Sequence, residues 1–182
     1  GTHTSFTSTG IDDNATSTAI TIDASENVGI GVVPEAWTTF KVLQLAGEGV
    51  FRGHTDANED VAIERNVYYD GSWKRINTSQ AQSILLDNAG AIIFKVAASG
   101  SADATISFTT AMTIDNAGFV GINNTSPNAQ LVVTDDRSGS IGTVLFQNTH
   151  SSVTNGDEVM RVQFSGDNDC TGGHFINFFD SG

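Results

Sequence analysis

The chain is poor in several residue types, and each shortage narrows what it can be. It holds one cysteine, Cys170, so an intrachain disulfide framework is excluded. Lys and Arg together number 8 against 21 Asp and Glu, a formal net charge of −13. A surface of that sign repels nucleic-acid phosphates and anionic lipid headgroups, so neither is expected as a ligand. No apolar run approaches the ~20 residues that cross a bilayer, so no membrane insertion is expected. The start, Gly1-Thr-His-Thr-Ser5, has neither a signal-peptide pattern nor an initiator methionine, and the end, Asp180-Ser-Gly182, follows an apolar strand directly. Both ends suggest a fragment or a processed chain.

Strong helix formers are scarce and hydrophobic residues make up 38%. The Ser, Thr, Asn, Asp and Gly that replace them favour strands and turns, and the expected fold class is all-β. The thin apolar content also suggests that part of the burial comes from partner chains.

What is present is a phrase said twice. Ile20-Thr-Ile-Asp-Ala-Ser-Glu-Asn-Val-Gly-Ile-Gly31 returns as Met112-Thr-Ile-Asp-Asn-Ala-Gly-Phe-Val-Gly-Ile-Asn123, at an offset of 92 residues (114 − 22). A proline follows each copy, Pro34 and Pro127. A weaker third copy, Ile84-Leu-Leu-Asp-Asn-Ala-Gly-Ala-Ile-Ile-Phe94, shares the Asp-Asn-Ala-Gly turn. Such repetition points to an array of small β units. Ile20 and Ile22 alternate onto one strand face, as do Val120 and Ile122, with Gly121 pointing the other way. A glycine inside a strand needs a reason. Close approach of another backbone across a symmetry axis is one, and a bulge in a monomeric hairpin is the other.

Residues 1–17 read as an extended lead-in, 18–134 as a repeat-containing β shaft, and 141–182 as a small C-terminal β domain. Pro34 at the first position predicts a short helical turn over Pro34–Phe40. Strands are expected at Lys41–Leu45, Val50–Arg52, Val61–Glu64, Asn66–Tyr69, Ser72–Ile76 and Ala129–Thr134, with a hairpin over Ser83–Val96. Asp70-Gly71 between Tyr69 and Ser72 predicts a type I′ hairpin turn. Thr143–Gln147, Glu158–Phe164 and His174–Phe179 complete a β-sandwich-like knob after the turn at Asp135–Ser140.

Candidate chemistry is sparse. Asp56, Asn58 and Asp60 alternate oxygen ligands like the opening of a calcium loop, but Val61 and Val67 stand where its glycine and glutamate belong. Solvated turns are the favoured reading there and a structural calcium the alternative; no other cofactor is expected. His3, His54, His150 and His174 show no zinc spacing, and no Gly-x-Ser-x-Gly elbow appears. Trp37, Trp73, Tyr68 and Tyr69 would form a sugar-stacking platform if exposed, although burial is favoured for a tryptophan inside a hairpin strand.

The second copy, Met112 through Pro127, resembles the M-x-I-D-x-x-G-x-V-G-I-G-T-x-x-P repeat of bacteriophage tail fibres and related virion appendage proteins. Tyr69-Asp-Gly-Ser-Trp-Lys74 resembles another element of that family, as does Asn155–Phe164 followed by Gly172–Phe178. The likeness spans most of 18–179 and departs at Asn123-Asn124, at Glu26-Asn27 and at Ile20. It implies an intertwined, homotrimeric β shaft with a knob, located in the virion. The implied partners are copies of the chain itself, other tail fibre or baseplate proteins, and a bacterial surface glycan at the point of host attachment. In that family such segments often precede a self-cleaving intramolecular chaperone domain, which nothing after Phe179 resembles. The resemblance implies no catalysis. The alternatives are a glycan depolymerase of the tailspike kind, acting through paired Asp or Glu, and a monomeric carbohydrate-binding module.

Overall fold

The computed structural model describes residues 17–57 and 59–134. Expectations for 1–16, Asn58 and 135–182, including Cys170, the Asp135–Ser140 turn and the knob, lie outside the described residues. The described part is all-β, with no helix. Its strands are β1 (Ile20–Ile22), β2 (Val28–Ile30), β3 (Phe40–Leu45), β4 (Gly49–His54), β5 (Val61–Arg65), β6 (Tyr68–Tyr69), β7 (Trp73–Lys74), β8 (Ser79–Leu86), β9 (Ile92–Gly100), β10 (Thr109–Ile114), β11 (Val120–Ile122) and β12 (Leu131–Val133). Ten of them form one sheet in the order β1-β2-β3-β4-β5-β8-β9-β10-β11-β12, while β6 and β7 pair separately.

Both copies of the phrase take the same local structure. Ile20 pairs with Ile30 and Ile22 with Val28 in the first hairpin; Met112 pairs with Ile122 and Ile114 with Val120 in the second. The turns are built by an aspartate that accepts its neighbours' amides. Asp23 Oδ1 takes the N–H of Ser25 and Asn27, and Asp115 Oδ1 takes those of Ala117 and Phe119. Asp87 does the same for Ala91 in the β8–β9 turn. All three turns need a left-handed residue three positions after the aspartate. Gly90 and Gly118 supply it at φ 87° and 83°, and Glu26 adopts it at φ 64°. The departure from glycine at Glu26 therefore leaves the turn intact and places the strain on that residue.

Each hairpin is followed by a short crossover to a parallel neighbour, β2 to β3 and β11 to β12. Parallel neighbours usually need a longer connection with a helix. Here Gly31–Thr39 and Asn123–Gln130 run flat across one sheet face, over the glycine in the middle of the strand beneath. A Cβ on Gly29 would overlap the Val32 carbonyl oxygen and lie 2.9 Å from Pro34 Cδ. One on Gly121 would overlap the Asn124 carbonyl oxygen. The close backbone approach expected at these glycines is thus made by the chain's own crossover rather than by a symmetry axis.

The predicted helical turn at Pro34–Phe40 is absent. Trp37 and Phe40 are both buried, and the segment is pinned in irregular form by Glu35 N–H donating to Gln44 Oε1 (2.9 Å) and Thr38 N–H donating to Tyr69 O (2.8 Å). The Asp70-Gly71 turn is also not type I′. Tyr69 pairs with Trp73 across Asp70–Ser72, with Gly71 at φ 115° and Lys74 Nζ gripping Asp70 Oδ2 at 2.6 Å.

The sheet has two unlike faces. One is covered by the Pro34–Phe40 crossover, the β6–β7 hairpin and the segment around Ile106. Between them lie two core clusters, Trp37, Phe40, Val42, Val50 and Tyr68, and Val67, Ala81, Ala97 and Ile106. This covered face is also where the buried polar side chains stand: Gln44, Arg52, Glu64, Ser83 and Thr113. Arg52 Nε donates to Glu64 Oε2 (3.0 Å), and Ser83 Oγ donates to Glu64 Oε1 (2.9 Å).

Candidate functional site

The opposite face is the first candidate. Following the register from strand to strand traces one row: Ile22, Val28, Leu43, Phe51, Ile63, Ile84, Phe94, Met112, Ile122 and Val133. Every strand of the ten-stranded sheet contributes one apolar residue to it. Flanking rows add Ile20, Ile30, Leu45 and Val96 on one side and Val61, Leu86, Ile92, Ile114, Val120 and Leu131 on the other. Apart from Val33, every large exposed hydrophobic side chain of the described residues lies in these rows, with Ile63 at 56% and Phe51 at 50% exposure. No Asp or Glu stands in them although the chain has 21. Lys41 and Arg65 occur in the flanking rows, held by Glu26 (2.9 Å) and Glu48 (2.7 Å).

The second candidate lies on the covered face. Phe40, His54 and Asp60 line an open cleft of about 350 Å³, together with Thr39, the rings of Tyr69 and Trp73, and Asp87 and Asn88 from the β8–β9 turn. The aromatic wall is mutually packed, with Tyr69 4.9 Å from Trp73 and Phe40 5.5 Å from Tyr69, ring centre to ring centre. The Arg52 guanidinium lies 4.4 Å from the Phe40 ring centre and 4.7 Å from that of Trp73. Asp60 Oδ2 meets Arg52 Nη1 at 3.3 Å, and Asp60 Oδ1 is buried with no hydrogen-bond partner among the described residues.

A scan of protein-family models and a search of curated proteins found no match for this chain.

The residues singled out from sequence separate cleanly. Trp37 and Tyr68 are buried at 5% and 6% exposure, while Tyr69 and Trp73 are half-buried and line the cleft. Tyr68 Oη donates to Asp103 Oδ1 at 2.8 Å; burial first, and then that carboxylate, push its phenol upward. Near it, burial and the charge of Asp103 raise the Glu35 carboxyl. Asp23 moves the other way: its burial is outweighed by hydrogen bonds from Asn27 and Ser25. Of the calcium trio, Asp56 Oδ1 faces His54 Nδ1 at 2.7 Å and Asp60 faces Arg52, so the two point to different partners. No cluster able to hold a metal occurs among the described residues. Sequence reading missed Phe40, His54, Asp87 and Asn88 as cleft residues, since they come from distant segments that only the sheet order unites.

Proposed function

We propose that this chain is a structural segment of a homotrimeric virion fibre, a tail fibre, that contributes to attachment at a host surface. The observation that carries the reading is the acid-free apolar face. Nine strand spacings of about 4.8 Å by two row spacings of about 6.8 Å give roughly 600 Å². That stands at the top of the range for the largest apolar patch of an ordinary monomer, about 300–600 Å². It approaches the roughly 800 Å² that one partner commits to a standard stable interface. A face of this kind is covered most simply by copies of itself, because sheets pack face to face through interdigitating apolar rows about 10 Å apart. Three sheets with their apolar rows turned toward a common axis give a β shaft, with loops, crossovers and charge left outside. The phrase repeated at both ends of the sheet fits a shaft whose axis runs across the strands. The resemblance in the Met112–Pro127 element selects three copies and the virion setting.

Native mass by light scattering is the test. A mass near three times 19.1 kDa is expected. In Ile63→Asp, which puts a carboxylate at the middle of the row, the same measurement should give a single chain with its β spectrum retained. A wild-type mass of one or two chains would overturn the trimer.

A further inference from the structure

We propose that the cleft bounded by Phe40, Tyr69, Trp73, Asp60 and Asp87 binds an organic ammonium group, carried by an amino sugar or by a quaternary amine of choline type. Its walls are aromatic and its charged lining is acidic: Asp60 and Asp87 face it beside His54, whose Nδ1 is turned to Asp56, and neither lysine nor arginine lines it. Aromatic faces attract a cation through the ring quadrupole, most strongly where water is partly excluded. These rings already accept one, since the Arg52 guanidinium lies within 4.7 Å of two of them.

Arg52 does not neutralise the cleft, because one guanidinium is shared between two carboxylates. Its Nε and Nη2 meet Glu64 at 3.0 and 3.3 Å, and its Nη1 meets Asp60 at 3.3 Å. Asp60 is left with an oxygen that no donor among the described residues meets. A buried acceptor without a partner calls for an explanation, and a carboxylate acting on a ligand's charge supplies one. Asp87 spends one oxygen on the Ala91 amide at 2.7 Å, and its charge adds to the field at the cleft mouth. Thr39 and Asn88 offer hydroxyl and amide groups to the rest of a small polar ligand. A volume of about 350 Å³ suits one sugar ring or one choline head, at the small end of the roughly 300–1,000 Å³ usual for ligand pockets. The same field rejects uronic and sialic acids.

The cleft lies within one chain and on the face opposite the apolar rows, so it stands or falls separately from the assembly reading. The experiment is calorimetric titration of the full chain with glucosamine, choline, glucose and glucuronate. At least one of glucosamine and choline should bind saturably and at least tenfold tighter than glucose, weakening as salt rises, with no heat from glucuronate. Preference for choline would assign a quaternary amine, and preference for glucosamine an amino sugar. Asp87→Asn keeps an oxygen for the Ala91 amide and should lose about tenfold in affinity, as should Asp60→Asn, with unchanged circular dichroism. Failure of both glucosamine and choline to bind tenfold tighter than glucose, or full affinity in both variants, would overturn the assignment.

Discussion

Replacing Gly29 by alanine adds one methyl group and should be among the most damaging small changes in the molecule. The new Cβ would occupy the space of the Val32 carbonyl oxygen and come within 2.9 Å of Pro34 Cδ. Neither neighbour is the free end of a flexible side chain, so the whole Gly31–Thr39 crossover must lift. Overpacking of this kind costs about 1–3 kcal/mol. Lifting the crossover also pulls Glu35 N–H from the fully buried Gln44, whose Oε1 it meets at 2.9 Å. An unsatisfied buried group adds about 1–3 kcal/mol. A total near 3 kcal/mol should lower the melting temperature by roughly 6–12 °C in a chain of this size. Tryptophan fluorescence during thermal melting is the assay, because Trp37 rides on the displaced segment. Gly53→Ala is the control: a Cβ there meets nothing within 4 Å. Gly121→Ala should behave like Gly29→Ala, because the Asn124 carbonyl occupies the same place. If Gly29→Ala melted with the Gly53→Ala control, the crossover explanation of the glycine would be wrong.

Two further outcomes follow from the covered face. Glu35 has its carboxyl raised by burial and by Asp103, so its charged form is disfavoured in the folded chain. The cost is present above the folded value and disappears as pH falls below the unfolded one; Glu35→Gln should therefore stabilise at pH 7 and change nothing near pH 3, as melts at the two pH values would show. Glu64→Leu removes the closer of the two carboxylates on Arg52, which is at 3% side-chain exposure and keeps Asp60 at 3.3 Å, and should cost about 3 kcal/mol in urea unfolding, part of it recovered by adding Arg52→Met. No recovery in the double variant would mean that the guanidinium's ring contacts matter more than its charge balance.

Much of the strand pattern was legible locally. Alternation marked β1 and β11, and the Asp-x-x-Gly phrases marked turns, since their geometry depends on four adjacent residues. Which face is covered was not legible. Alternation put Ile20 and Ile22 on one strand face without saying which, and within one chain that face, with Val28 and Ile30, is the open side. Gln44, Arg52, Glu64 and Ser83 are polar yet buried: Arg52 and Ser83 both bond Glu64 across neighbouring strands, and Gln44 accepts from the Glu35 amide of the crossover. The parallel crossovers were hidden because Pro34 signals a helix start locally, whereas Trp37 and Phe40 are both drawn into the core. The cleft shared that limit: Phe40, His54, Tyr69, Trp73 and Asp87 meet only through the sheet order.

The polar lock on the covered face and the apolar rows on the other differ in how they respond to dilution. Hydrogen bonds inside one chain are indifferent to concentration, while a face closed by other copies is stabilised by mass action. In the trimer proposed here, the unfolding midpoint would climb with protein concentration, and a chain released alone would keep its turns and crossovers while offering its rows to any apolar surface nearby. Local concentration during synthesis, when several copies emerge from one message, would then decide between shaft and aggregate.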